Sequence, residues 1–306
     1  MKRVVAFGES LLDIIYDPAA VIPGGSVLNS AVSLARSGVS VQLMTEFAED
    51  GPGTILKQFL ENENIGLDYS CIYKDAKTAL AFALLDENAK ATYTFYKAFP
   101  SKRFDIVFPV FNKESIFLYG SFSAINDELS VTVQQLVSDA ESSGSMVYYD
   151  PNFRKAASTI DAITRERLNF NFSHADVIRG SDEDFDTIFG TIDILDVWKK
   201  VKVFGCKLLI VTYGARKVEA INDIFHLYAD VPALRVVSTI GAGDSFNAGF
   251  IRAYISQSEK EGIAILSDVN HVKKCVNTAI EYASSVCLQT QNYISADIAS
   301  QVALRW

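Results

Sequence analysis

The sequence predicts an α/β protein with a doubly wound, mainly parallel sheet flanked by helices and carrying a small β-hairpin lid. Two observations predict it. Short apolar runs alternate with longer segments of helical period, the pattern of parallel strands joined by crossover helices. One stretch, 77–98, breaks that alternation with two strand-like runs in succession. The 306 residues read as one such domain with the lid as an insertion.

The elements follow in order. Val4, Val5, Ala6 and Phe7 form an apolar run closed by Gly8, which reads as the first strand. A helix over 27–37, a strand over 41–45 and a helix over 54–64 come next. Residues 77–85 and 91–96 both read as strands, with Asp86, Glu87 and Asn88 as the turn between them. The alternation then resumes with strands at 116–119, 146–149, 177–178 and 208–212. Helices are expected over 127–142, 183–189, 193–204, 242–256 and 268–286. Gly38, Gly66, Gly144 and Gly205 lie between or just past these segments, where a helix stop or turn calls for positive φ.

An antiparallel hairpin among βα units does not join a parallel core easily, so 77–98 is expected to project as a lid. The run from Ala79 to Leu85 is apolar on both faces, which a two-stranded ribbon cannot bury alone. One face would cover a cleft and the other would meet a partner, so a homodimer through the lid is expected.

The charge sum is 28 Lys and Arg against 37 Asp and Glu, a net −9. That argues against nucleic acid and anionic membrane surfaces as partners. It leaves room for one small anion in a local pocket. The apolar run near Met1 is only four residues long, so no signal peptide is expected, and no stretch approaches the ~18 apolar residues of a membrane helix. Cys71, Cys206, Cys275 and Cys287 are widely spaced, and His174, His226 and His271 stand alone. A disulfide scaffold and a zinc site both lack their spacing, and free thiols in a reducing cytoplasm are expected.

Four segments carry candidate chemistry. In Thr239-Ile240-Gly241-Ala242-Gly243-Asp244, small residues run straight into helix 242–256. Bare backbone lets a ligand approach, and the N–H groups and dipole of a helix start favour an anion. Asp244, beside that anion site, is placed to take a proton from an attacking hydroxyl. A plain glycine-rich helix start with an aspartate in its first turn would read the same way. A dinucleotide fingerprint would need glycine where Phe246 stands, and no phosphate-binding GxxxxGK[ST] loop occurs.

The second segment is Gly8-Glu9-Ser10-Leu11-Leu12-Asp13, followed by Gly24, Gly25 and Asn29. A carboxylate past the carboxyl end of the first strand lies where open α/β sheets bind ligands. Asp13, Asn29 and the bare amides of Gly24 and Gly25 are chemistry that reads sugar hydroxyls, although a cap and a plain turn would look alike. Third, Asp150-Pro151-Asn152-Phe153-Arg154 ends the strand at 146–149, with Asp150 and Asn152 as polar ligand contacts and Arg154 as a fork for phosphate. Fourth, Asp182, Glu183 and Asp184 could hold a hydrated Mg²⁺ or could be a dipole-favoured helix start.

Taken in order, these segments resemble the ribokinase-like (PfkB) carbohydrate kinases, from Gly8 to about Val286. Gly8-Glu9 with Asp13, and Asp150 to Arg154, are most similar to the fructokinase and 2-keto-3-deoxygluconate kinase branch. The resemblance implies ATP-dependent phosphorylation of a sugar hydroxyl. It makes Asp244 the base and Gly241, Ala242 and Gly243 the anion hole. It puts Asp13, Gly24, Gly25 and Asn29 on the sugar, Arg154 on phosphate or substrate, and Glu183 and Asp184 on Mg²⁺. Thr212 and Gly214 match the nucleotide-side loop, and Asn277 lies where adenine contacts are expected.

Three departures qualify what is carried over. Ser238, and Asn292 with Tyr293, replace residues that help relatives hold a monovalent cation, so the resemblance leaves activation by a monovalent cation open. Ser181 and Asp184 replace the family's Asn-x-x-Glu, so Mg²⁺ would be held differently. Lys97 stands where sugar-acid kinases carry arginine, which favours fructose or another neutral ketose over 2-keto-3-deoxygluconate. Ribose remains an alternative substrate, and a catalytically weak sugar or nucleotide sensor an alternative function.

Overall fold

The computed structural model describes residues 2–15, 19–85, 91–153, 160–257 and 262–303. β1 (Arg3–Phe7), β2 (Leu11–Ile15) and β3 (Ala20–Gly24) precede α1 (Ser26–Arg36). β4 (Ser40–Met44), β5 (Glu46–Ala48), α2 (Gly51–Asn62), β6 (Cys71–Tyr73), β7 (Lys77–Leu85) and β8 (Ala91–Ala98) follow. β9 (Ser115–Gly120), α3 (Ser130–Ser142), β10 (Met146–Asp150), α4 (Ala162–His174) and β11 (Val177–Ser181) come next. The chain continues through α5 (Asp182–Phe189), α6 (Ile194–Val201), β12 (Leu208–Thr212), β13 (Lys217–Ile221) and β14 (His226–Asp230). It closes with α7 (Ala242–Gln257), α8 (Val269–Cys287) and α9 (Ala296–Ala303).

The main sheet runs β14-β13-β12-β11-β10-β9-β1-β4, parallel from β4 to β12 with an antiparallel hairpin at the β14 edge. Every residue of β9 and β10 is buried, as expected when helices cover both faces of a parallel sheet. Period-two alternation divides them. Ile116, Leu118, Met146 and Tyr148 join the core that contains Leu28 of α1, Phe250 of α7 and Val276 of α8. Phe117, Tyr119, Val147 and Tyr149 join the opposite core with Leu136 of α3, Leu168 of α4 and Val197 of α6.

The sequence reading of α2 starts three residues late. Asp50 accepts from the Gly53 N–H at 2.9 Å, and Pro52 tolerates the first turn, so the helix begins at Gly51. Positive φ occurs at Gly38, Gly144 and Gly205 as expected but not at Gly66. Asn64 takes the left-handed position after α2, and Gly66 is small because a Cβ would collide with the Gln42 side chain.

The lid is larger than a hairpin. It is a four-stranded sheet ordered β3-β2-β7-β8, with β2 parallel to β7. The two-stranded ribbon is therefore corrected. β2 and β8 flank β7, β3 pairs with the far side of β2, and Leu12, Ala79 and Ala81 are buried. The turn at Asp86, Glu87 and Asn88 lies outside the described residues. Among the described residues, no helix is long and apolar enough to cross a membrane.

Candidate active site

Chain order along the main sheet reverses between β1 and β9, because β4 lies on one side of β1 and β9 on the other. A crevice at such a reversal, beyond the carboxyl ends of the strands, is where open α/β sheets bind ligands. Glu9 follows β1 there. Its Oε1 accepts from Ser121 Oγ at 3.2 Å and its Oε2 from Ser123 Oγ at 2.7 Å, both just past β9.

Gly25 brings α1 against this crevice. Its φ is +125°, and a Cβ would collide with the Glu9 carbonyl. Gly24 is bare for a different reason: a Cβ there would collide with the Asp13 carboxylate. Asp13 is not in a loop past β1 but in the middle of β2, opposite Ile22 and Ala81.

Asp244 occupies the first turn of α7 and is 6% exposed. Ser26 Oγ donates to its Oδ1 at 2.7 Å and Asn29 Nδ2 to its Oδ2 at 2.8 Å, while Ser30 Oγ donates to its carbonyl at 2.9 Å. Two side chains of α1 thus fix the carboxylate and a third fixes the backbone of the same residue of α7. Asn29, expected on the sugar, gives one of its two amide hydrogens to this carboxylate. Its Oδ1 is buried without a partner among the described residues.

Gly241, at φ +79°, packs on the Asn292 carbonyl so closely that a Cβ would collide with it. The Ala242 N–H donates to Thr239 O at 3.3 Å, so one of the three expected anion-hole amides closes a turn. Gly243 lies in the first turn of α7, where backbone N–H groups have no acceptor within the helix.

Behind Gly243 lies a network that the sequence reading missed. Arg179, in β11, donates from Nη1 to Asp150 Oδ2 at 2.9 Å and from Nη2 to Thr212 Oγ1 at 2.8 Å. Asn247 Nδ2 donates to the same Asp150 oxygen at 2.6 Å, and Tyr148 OH donates to Asn247 Oδ1 at 3.1 Å. Asp150 therefore serves the interior rather than a ligand. Burial pushes its carboxyl above the usual carboxylate range, and the Arg179 charge pulls against that rise. Asn152, at φ +37°, has its N–H on Asp150 Oδ1 at 3.0 Å and lines the larger cavity. Arg154 lies outside the described residues.

Two cavities open near the crevice, and Asp244 lines the larger of them. The larger, about 890 Å³, runs from Asp244 and Gly243 past Thr212 and Gly214 to Ile280, Ala283 and Cys287 on α8. It has the size of a cofactor site. Asn277 is exposed on α8 and does not line it. Glu183 and Asp184 do. Asp184 forms a reciprocal cap with Ser181: its Oδ2 accepts from the Ser181 N–H and Oγ, each at 2.7 Å. Asp182 pairs with Arg216 at 2.6 Å.

The smaller cavity, about 420 Å³, lies under the lid between Glu9, Leu11, Leu80, Tyr96 and Lys97. Arg103 also lines it, but its fork is taken. Nε donates to Glu46 Oε2 at 3.0 Å, Nη2 to Glu46 Oε1, and Nη1 to Glu128 Oε2 at 2.8 Å. Nothing in the local sequence pairs positions 46 and 103, so this ion pair was invisible before folding.

A doubly wound sheet with a β lid, and a buried carboxylate at a helix-start anion site between them, defines the ribokinase-like class of α/β proteins. The chain belongs to the pfkB family of carbohydrate kinases, whose family model matches residues 1–299. It is a sugar phosphotransferase. It is 28% identical over 309 residues to probable fructokinase-5 of Arabidopsis thaliana, covering 96% of this chain and 93% of that protein. It is 30% identical over 265 residues to fructokinase-2 of Oryza sativa subsp. japonica, covering 79% and 77%.

The fold matches an ATP-bound fructokinase from Xylella fastidiosa with TM-score 0.82 at 24% identity, covering 100% of this chain and 99% of that one. It matches a Vibrio cholerae fructokinase in a fructose-, ADP- and potassium-bound form with TM-score 0.84 at 19% identity, covering 98% of both chains.

Proposed function

We propose that this chain transfers the γ-phosphate of ATP to a hydroxyl of a neutral ketose, fructose foremost. The observation that carries the reading is the Asp244 carboxylate, fixed by Ser26 and Asn29 beside the bare backbone of Gly241 and Gly243. As the sugar oxygen bonds to the γ-phosphorus and the bond from that phosphorus to ADP breaks, the hydroxyl proton passes to Asp244. The helix start meets the negative charge on the transferring group. Asp13, Gly24 and Gly25 shape the sugar side, Asn29 positions the base, and Thr212 and Gly214 border the nucleotide side.

Phosphate contact by Arg154 and adenine contact by Asn277 remain expectations from the family pattern. ATP brings Mg²⁺, which neutralises phosphate charge. Glu183 and Asp184, with one Asp184 oxygen committed to Ser181, fit an ion held through water. Among the described residues no group of three or more potential ligands forms a protein cage.

Neutrality of the acceptor is supported by Arg103. Glu46 takes the Nε–Nη2 edge of its guanidinium and Glu128 one hydrogen of Nη1, so most of the fork is committed within the protein rather than to a substrate carboxylate. ADP release should therefore be greatest with fructose among ketoses, aldoses, sugar acids and nucleosides. Turnover with none of them defeats the kinase reading, and turnover confined to sugar acids defeats the neutral acceptor.

The same reading has the enzyme as a homodimer through the lid, in a reducing cytoplasm. Val21 and Tyr96 on one face of the lid sheet and Phe95 on the other are half-exposed apolar side chains, and the four cysteines are free. Sedimentation at micromolar concentration should give a dimer. A monomer there contradicts the lid interface.

A further inference from the structure

Arg179 is 7% exposed in the wall of the larger cavity, which the proposed function assigns to ATP. Three observations set it apart from an ordinary buried ion pair. A guanidinium carries five N–H groups, and Asp150 and Thr212 are the only acceptors its Nη atoms have among the described residues. Nε is buried with no partner among those residues. The donor capacity of this side chain therefore exceeds what the protein around it uses.

The second observation is its place. A Cβ on Gly243 would come within 2.8 Å of Nη1 and 3.2 Å of Nη2. The guanidinium therefore lies directly against the bare backbone where α7 begins, on the anion-favouring end of its dipole. A cation held at that end works against the helix dipole, an arrangement that becomes favourable once an anion sits between them. Phe246 supports the guanidinium at 5.3 Å from its ring centre.

The third is charge. Among the described residues lining this cavity, Arg179 is the one cation, against Asp182, Glu183, Asp184, Asp186 and Asp244. A polyphosphate entering so acidic a space needs positive charge beyond what a divalent ion brings. Burial works against the charged form of Arg179, but Asp150, Tyr148 and Asp184 hold its pKa above the ordinary arginine value. The anchors on Asp150 fix the group before any ligand arrives, which is the preorganisation that charge stabilisation requires.

We propose that Arg179 is a catalytic residue that contacts the phosphate chain of ATP below the start of α7. There it stabilises the charge that accumulates on the departing ADP oxygen as the bond to the γ-phosphorus breaks. This assignment rests on the phosphoryl-transfer reading, and it adds a residue from β11 to a site otherwise built from loops and helix starts.

The test compares Arg179→Lys and Arg179→Gln with the unaltered protein, by calorimetry with ATP, ADP and adenosine and by steady-state kinetics. Both variants should bind adenosine as the unaltered protein does, and the glutamine variant should lose at least tenfold in affinity for ATP and ADP, the lysine variant less because it keeps the charge. In the glutamine variant kcat should fall about 10²–10³-fold, the loss typical of removing one preorganised charge-stabilising group, with the KM for fructose unchanged. Unchanged ATP affinity and kcat in the folded glutamine variant overturn the proposal, and so does a lysine variant that loses as much as the glutamine one. Equal losses for ATP and adenosine overturn it too, since that pattern marks a purely structural ion pair.

The glutamine variant retains a donor for Asp150 without the charge, and the lysine variant retains the charge without the fork, so the pair separates the charge from the packing. Binding of ATP is read without turnover. Failure of the kinase reading, seen as no product from the unaltered protein, is therefore distinguishable from failure of this one.

Discussion

Replacing Asp244 by asparagine should lower kcat about 10²–10⁴-fold, the usual contribution of a positioned general base, and leave the fold and the affinity for fructose nearly intact. The geometry explains why the fold tolerates it. The new amide still offers an oxygen to Ser26 Oγ, now at 2.7 Å from Oδ1. Its NH₂ would face the Asn29 Nδ2 donor, but Asn29 has an unpartnered Oδ1, so rotation of that amide restores a donor–acceptor pair. Steady-state kinetics with calorimetry for fructose measures both halves. A kcat retained within about threefold removes Asp244 from the role of base, since even a weak general base contributes more.

Replacing Asp150 by alanine should be the most destabilising change at the site. It leaves the Arg179 guanidinium and the Asn247 amide buried without their shared acceptor. Breaking a buried pair from one side costs about 3–5 kcal/mol. Urea denaturation reads this as a lower midpoint with an unchanged slope. Removing the charge as well, in Asp150→Ala with Arg179→Met, should recover part of the loss, because the uncompensated cation carries most of it. A loss below about 1 kcal/mol in the single variant would mean that the pair is hydrated rather than buried, and the network would not be the rigid backing described.

The parallel strands of the main sheet and the helices α1, α7 and α8 were legible because each is a local pattern, whereas the antiparallel edge strands β13 and β14 were not. An apolar run such as Val4 to Phe7 announces a buried strand, and small residues before Asp244 announce a helix start open to a ligand. What was not legible depends on pairing across the chain. β2 carries Asp13 in its middle, so it reads as a ligand loop until β3 and β7 flank it. Asn29 reads as a sugar ligand until folding brings it to Asp244, 215 residues away. Asp150 reads as a contact at the end of a strand until Arg179 and Asn247 claim it. Arg179 itself reads as an interruption in the apolar strand Val177–Ser181, because its partners come from β10, β12 and α7. In each case the residue types were right for polar chemistry, and only the three-dimensional partners decided whether they face a ligand or each other.

The central claim is transfer of phosphate from ATP to the sugar, and phosphorus NMR of the unaltered protein with ATP, Mg²⁺ and fructose tests it most directly. The account predicts a new phosphomonoester resonance on the sugar, growing in step with ADP. Binding of fructose and ATP with no such resonance would contradict it and would make the protein a sensor.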